Sequence, residues 1–225
     1  MIIHLLRLNN YPIFKQLQLE EALLRADTRN FCLINEGSED AIVLGISGKP
    51  ENQSHLPMIR RFSGGGTVVV DEHTHFVTFI CNQACANVSQ RPNDIMCFMK
   101  KRLAPTFSHL PFDLKENDFV IGDRKFAGNA QYLIKQRWLH HTTMLWDYHP
   151  EKMDLLQLPE KRPEYRASRP HHEFLCKLRE YFPDRSRFSH ELTQSLLTQL
   201  EVKEISLEEV LPVLQRPHRK ALCLL

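Results

Sequence analysis

Arg60-Arg-Phe-Ser-Gly-Gly-Gly-Thr-Val-Val-Val-Asp71 is the stretch on which the reading of this chain turns. Three consecutive glycines remove every Cβ from the main chain where two arginines and a serine supply positive charge and hydrogen bonds. Such a backbone bends tightly or lets a ligand lie against it, and guanidinium groups grip carboxylate or phosphate through paired N–H bonds. Neither Gly-x-Gly-x-x-Gly nor Gly-x-x-x-x-Gly-Lys-Ser/Thr is present, and an apolar strand-like run follows instead of a helix. That excludes a dinucleotide fingerprint and a nucleotide-hydrolysing phosphate loop. Taken alone, three glycines in a surface turn stay open as the plain alternative.

On the N-terminal side, residues 47–57 form a loop rich in Gly, Pro, Asn and Ser, read either as a pocket front or as a surface connection. Residues 2–8 read as a first strand and 12–26 as a helix, with Ile13, Leu17, Leu19, Leu23 and Leu24 at helical intervals. Glu20, Glu21 and Arg25 fall on its expected solvent face. Residues 31–34 and 41–46 are β-rich runs. On the C-terminal side, 67–71 and 76–80 read as a hairpin or adjacent strand pair, 93–107 as a helix and 110–117 as a polar connection. Residues 118–122, 125–134 and 138–146 read as three successive antiparallel strands. Beyond them lies the proline-rich segment 150–170, then helices with inner stripes Phe174, Leu175, Leu178, Phe182 and Leu192, Leu196, Leu197, Leu200, and a tail with a short strand and a helix at 207–214. Central strands without steady βαβ alternation predict an α+β fold, a mixed or antiparallel β-sheet flanked by helices.

The chain has 225 residues, 42% of them hydrophobic, enough for one large core. A formal charge of +2 is too mild to imply nucleic-acid binding. The six cysteines include no C-x-x-C and there is no room for a signal peptide, so free buried thiols and a reducing compartment are expected. No uncharged apolar run approaches the roughly 20 residues needed to cross a bilayer. A cytoplasmic, monomeric protein is expected, binding neither nucleic acid nor membrane, with an organelle as the alternative if a presequence was removed.

A second constellation runs from Asn117 and Asp118 through Gly122, Asp123 and Lys125 to Gly128, Ala130 and Gln131. Lys125 opens a strand beside a tight turn, where an ammonium can neutralise charge developing on a ligand; a β-hairpin with a solvated lysine is the equal alternative. His140 and His141 are neighbours on one strand, so at most one faces a given pocket. A zinc site from these with His73 and His75 lacks any known closed-site spacing, and Ser63 lacks a Gly-x-Ser-x-Gly elbow. Every cysteine lies in or beside an apolar run.

Together these stretches resemble the lipoate–protein ligase A family, which has a biotin/lipoate ligase-like catalytic domain. Arg60, Arg61, Ser63, Gly64, Gly65, Gly66, Thr67, Val68 and Asp71 match its arginine-pair and triple-glycine motif. Asn117 and Asp118, then Lys125, Phe126, Ala127, Gly128, Ala130 and Gln131, match its second motif. Glu20-Glu21 and the run from His141 to Leu145 match its first helix and a later strand, and the resemblance covers roughly residues 8–185. Thr142 replaces the family's glycine, Ala127 its serine, and Val69-Val70 its tyrosine-histidine.

The resemblance implies a catalytic core over 1–185 and a C-terminal helical extension over 186–225, with no full accessory domain. It implies an AMP-producing ligase in which ATP activates lipoic acid as lipoyl-adenylate and a lysine of an apo-lipoyl domain then displaces AMP. It assigns Lys125 to the α-phosphate and acyl carbonyl, and Arg61 with Arg60 to phosphate. Ser63 and Gly64 to Gly66 would lie against the adenylate or acyl chain. Asn117 and Asp118 fall on the adenylate, Asp118 also on Mg²⁺, and Gly128, Ala130 and His141 on the acyl tunnel. The implied partners are lipoyl domains of 2-oxoacid dehydrogenase complexes or the glycine cleavage H protein, with a separate accessory subunit open. Two alternatives stand beside it: an octanoyl or lipoyl transferase using a carrier thioester without ATP, and a non-catalytic lipoyl-domain-binding protein.

Overall fold

Strand β6 (Thr74–Asn82) is buried over nearly its whole length on both sides. Because side chains alternate across a pleat, Val77, Phe79 and Cys81 enter one core while Phe76 and Ile80 enter another. The computed structural model in which this is seen describes residues 1–50, 55–89, 91–156 and 162–225. Around β6 the chain runs β1 (Ile2–Asn9), α1 (Ile13–Ala26), β2 (Phe31–Glu36), β3 (Ala41–Leu44), β4 (Met58–Arg60) and β5 (Val68–Val70). After it come α2 (Gln83–Ala86), α3 (Pro92–Leu103), β7 (Phe112–Lys115), β8 (Asp118–Ile121), β9 (Arg124–Ile134) and β10 (Arg137–Leu145). The last part holds α4 (Pro150–Met153), α5 (His171–Phe174), α6 (Arg185–Leu197), β11 (Glu201–Ile205), α7 (Leu207–Val210) and β12 (Cys223–Leu224).

Two sheets result. The larger has the order β11-β1-β2-β6-β10-β9-β8-β7 and the smaller β12-β4-β3-β5. Within the larger sheet β1 is parallel to β2 and β11, and the remaining pairs are antiparallel, so the sheet is mixed. Helices α3 and α6 cover one face, sending Ile95, Met99, Leu103, Phe188, Leu192 and Leu196 into a core with Phe79 and Trp138. The other face carries α1 and the smaller sheet, with Leu17, Leu23, Phe31, Val43 and Phe62 in common contact. Burying one such leucine or phenylalanine stabilises by about 1.5–3 kcal/mol. Segment 186–225, read from sequence as a helical extension, also supplies the edge strand β11 and pairs β12 with β4.

Several local expectations change. Runs 67–71 and 76–80 do not pair: β5 joins β3 in the smaller sheet and β6 joins β2 and β10 in the larger. The carboxylate of Asp71 accepts from His73 N at 2.9 Å and Thr74 Oγ1 at 3.3 Å, an Asx-type turn that sends the chain from one sheet to the other. Residues 112–115 are a strand, not a connection, and the stripe Phe174, Leu175, Leu178, Phe182 belongs to short helical turns whose apolar side chains are nonetheless buried. Glu20 and Glu21 are buried, not solvated, because α1 packs between the larger sheet and residues 205–222. All six cysteines are free, but Cys85 and Cys97 are exposed. Residues 51–54 of the glycine- and proline-rich loop and 157–161 of the proline-rich segment lie outside the described residues.

Candidate active site

The β8–β9 hairpin builds one wall of a cavity of about 560 Å³. Its register pairs Asp118 with Gly128 and Phe119 with Ala127, then shifts so that Val120 faces Lys125. The extra residue is a β-bulge, and bulges re-aim side chains. Here Lys125 and Gly128 come to the same side, where a Cβ on Gly128 would meet Lys125 Nζ at 3.6 Å. Lys125 Nζ lies 2.8 Å from Asp118 Oδ1, and Tyr165 Oη donates to Asp118 Oδ2 at 2.8 Å. Segment 162–175 closes this side: Leu175 bridges to Lys125, and the Arg166 guanidinium stands 4.6 Å from the Phe174 ring centroid.

The opposite wall is the glycine loop. Arg61 Nε donates to Ser63 Oγ and Gly64 O, Nη1 to Val43 O at 3.2 Å, and Nη2 to Gly64 O at 2.7 Å and Gly66 O at 2.8 Å. Burial draws its pKa down to about 10, which leaves it charged at neutral pH. Its donors therefore fold the loop while the residue also lines the cavity. At Gly65 φ is +95°, a conformation that disfavours any side chain, and a Cβ there would sit 2.8 Å from Arg61 Nη2.

Between the walls α1 contributes a carboxylate. Glu20 Oε1 accepts from Gln16 Nε2 at 2.8 Å and Thr78 Oγ1 at 2.7 Å, while Oε2 faces His141 Nδ1 at 3.1 Å. His141 Nε2 in turn meets Ser63 Oγ at 2.9 Å. A chain Glu20–His141–Ser63–Arg61 thus ties α1, β10 and the glycine loop together. Ser63 Oγ faces the loop and not the cavity, so the Ser–His–Glu sequence of contacts positions the wall. Apolar lining comes from Ile13, Leu17, Val43, Val70 and Phe76.

Of the residues singled out from sequence, Arg61, Gly65, Gly66, Asn117 and Asp118 line this cavity, as do Lys125, Gly128, Ala130 and His141. Arg60, Ser63 and Gly64 do not: Arg60 Nη2 reaches Gly48 O at 3.4 Å, and Ser63 is fully buried. Of the adjacent histidines, only His141 faces the cavity. His140 is buried among Asn129, Gln131 and Thr142, which with the buried His75 dissolves the four-histidine zinc arrangement. Missed by sequence reading were Gln16 and Thr78, which satisfy Glu20, Tyr165, which holds Asp118, and Arg166, His171 and Phe174 over the cavity. The prolines of 150–170 were the one hint of a covering segment.

Asp118, expected as a metal ligand, faces an ammonium in this structure. Its two oxygens meet Lys125 and Tyr165, Glu20 is held as above, and Glu116 accepts from Glu164 N at 2.7 Å through Oε1 alone. No cysteine lines the cavity among the described residues. Cys176 follows the lining residue Leu175 but points into the core, where burial pushes its thiol up to about 11.

The sequence profile of the lipoyl protein ligase A/B catalytic domain matches residues 12–201. The chain belongs to this family. A member from Plasmodium falciparum (isolate 3D7), named inactive lipoate–protein ligase 2, is 24% identical over 79% of this chain and 64% of its own length, so the chain spans slightly under two-thirds of that relative. Among solved structures, a bi-partite lipoate protein ligase from Thermoplasma acidophilum superposes with a TM-score of 0.77 at 16% identity, covering 96% of this chain and 91% of that one. A lipoate-protein ligase A bound with ATP superposes at 0.76 with 14% identity, covering 96% and 93%. At these identities the likeness establishes the biotin/lipoate ligase type of fold for this lipoyl protein ligase A/B domain. No helix among the described residues is long and apolar enough to cross a membrane.

Proposed function

We propose that this domain joins lipoic acid to a lysine of a lipoyl domain in two steps, using ATP to form lipoyl-adenylate. The observation that carries this reading is the cavity itself: the Lys125 ammonium at one wall, the Gly65–Gly66 backbone at the other, and an apolar pocket of Leu17, Val43 and Phe76 alongside. A short acyl chain fits apolar lining, and its carboxylate belongs beside a fixed cation. Carboxylate and triphosphate repel one another, so activation needs positive charge held where the transition state accumulates negative charge. Lys125 supplies it. Asp118 and Tyr165 hold Lys125 in place before substrate enters, so little reorganisation accompanies reaction. Asn117 contacts the adenylate, Ala130 and Gly128 leave room for it, and His141, oriented by Glu20, closes the acyl pocket. A divalent cation accompanying ATP would be carried chiefly by its phosphates, since Asp118 and Glu20 already face Lys125 and His141. The acceptor is a lipoyl domain, and a separate accessory subunit belongs to this reading, as the Thermoplasma acidophilum neighbour is a bi-partite ligase.

A second reading, binding without turnover, is favoured by one observation: a relative of this family bears the name inactive. The thioester transferase reading has less support, because no cysteine lines the cavity among the described residues. Intact mass separates the three. With lipoic acid, ATP and Mg²⁺, an apo-lipoyl domain gains one lipoyl group. Lys125→Ala lowers that rate about 10²-fold, on the order of 3 kcal/mol, with the fold retained by circular dichroism. Transfer from an octanoyl thioester without ATP would replace this reading with the transferase, and stoichiometric binding without mass change with the binding protein.

A further inference from the structure

Away from the cavity, the crossing from β5 to β6 and the turn before α4 bring three potential metal ligands together. Glu72 Oε1 lies 3.4 Å from His73 Nε2 and 3.7 Å from His149 Nε2, and the two imidazole centroids are 5.3 Å apart. A tetrahedral ion with bonds of about 2.0–2.1 Å spaces its ligand atoms about 3.3 Å apart, so these separations are close to those of a bound set. A carboxylate also stands near the second nitrogen of His149, with Glu151 Oε1 at 3.5 Å from Nδ1, outside an ordinary hydrogen bond. Drawn onto Nδ1 as the ion binds, such a carboxylate fixes the tautomer and leaves the Nε2 lone pair for the ion. The neighbouring trio Asp40, Asp71 and Glu72 differs, because the Lys152 ammonium already stands among its oxygens, 2.8 Å from Asp40 Oδ1 and 3.3 Å from Asp71 Oδ2. Lys152 approaches Glu72 through Oε2 at 3.9 Å, leaving Oε1 to the histidines.

We propose that Glu72, His73 and His149 form a site for a divalent ion of the zinc class. Two imidazoles and one carboxylate suit zinc by donor type, and three protein ligands leave a fourth position open. Side chains exposed by 51%, 30% and 41% give the ion a path from solvent and that position a water. The site links two segments that reach the cavity, β5 through Val70 and α4 through Met153, so an ion there braces the cavity's outer wall.

The test is calorimetric titration of the full chain with Zn²⁺ at pH 7.5, with Co²⁺ absorption as a second reading. One equivalent of Zn²⁺ should bind, Co²⁺ should show the intense visible bands of four-coordination, and Zn²⁺ should raise the melting temperature. His73→Gln and His149→Gln should each weaken binding at least tenfold and abolish the thermal shift, while circular dichroism reports their fold. Glu151→Gln, which touches no ligand atom, should weaken binding about tenfold and keeps the test valid if a histidine variant does not fold. Absence of saturable binding, or binding undiminished in the variants, overturns the proposal.

Discussion

The three glycines of the Ser63–Thr67 loop are not equivalent. Gly65 has φ +95° and its Hα space is taken by Arg61, whereas a Cβ on Gly66 would meet nothing within 4 Å. Gly65→Ala should therefore lose about 1–3 kcal/mol, while Gly66→Ala stays within about 0.5 kcal/mol. Urea midpoints of the two variants check this, and equal losses would refute it. The motif was legible as a place where backbone is laid bare. Which partner Arg61 meets was not, because a guanidinium four residues from Gly65 reaches the loop's own carbonyls as readily as a ligand, and sequence records no direction for its donors.

At the scale of elements, α1 binds the chain's end as well as facing the cavity. Glu21 accepts from Ala221 N at 3.0 Å and Leu222 N at 3.2 Å and pairs with Arg25 Nε at 3.0 Å. This leads the tail into β12, which covers the edge of β4 just before Arg61. Hydrogen bonds to a buried charge contribute about 1.5–3 kcal/mol, so Glu21→Ala should lower the unfolding free energy by about that amount, and Glu21→Gln by less. An unchanged denaturation midpoint in Glu21→Ala would show that the tail is held otherwise. Helical spacing placed α1 correctly, yet put Glu20 and Glu21 in solvent, since a carboxylate on a helix is exposed unless something distant covers it. Likewise the valines of β5 were legible as a strand, while its sheet was decided by the Asp71 turn.

At the scale of the whole molecule, two buried histidines set the acid limit. Burial pushes His75 and His140 from 6.5 down to about 3, so both are neutral in the folded protein where the unfolded chain has protonated them. Above about pH 6.5 neither state binds the proton and nothing is lost; between 6.5 and 3 the unfolded state binds more protons and stability falls as pH falls. Each histidine contributes a slope of up to about 1.4 kcal/mol per pH unit. Urea midpoints should decline steadily from pH 6.5 to 4.5, and a flat profile there would contradict it. From the sequence alone came most of the central strands, the main helices, the α+β class and the two motifs, because periodicity and backbone-special residues act over a few positions. Only tertiary structure decided that Glu20 orients His141 across 121 positions, that Asp118 and Tyr165 hold Lys125, and that Arg61 serves its own loop. Those contacts depend on how two sheets and a helix close around a cavity, and that closure is settled by the packing of residues far apart in the chain.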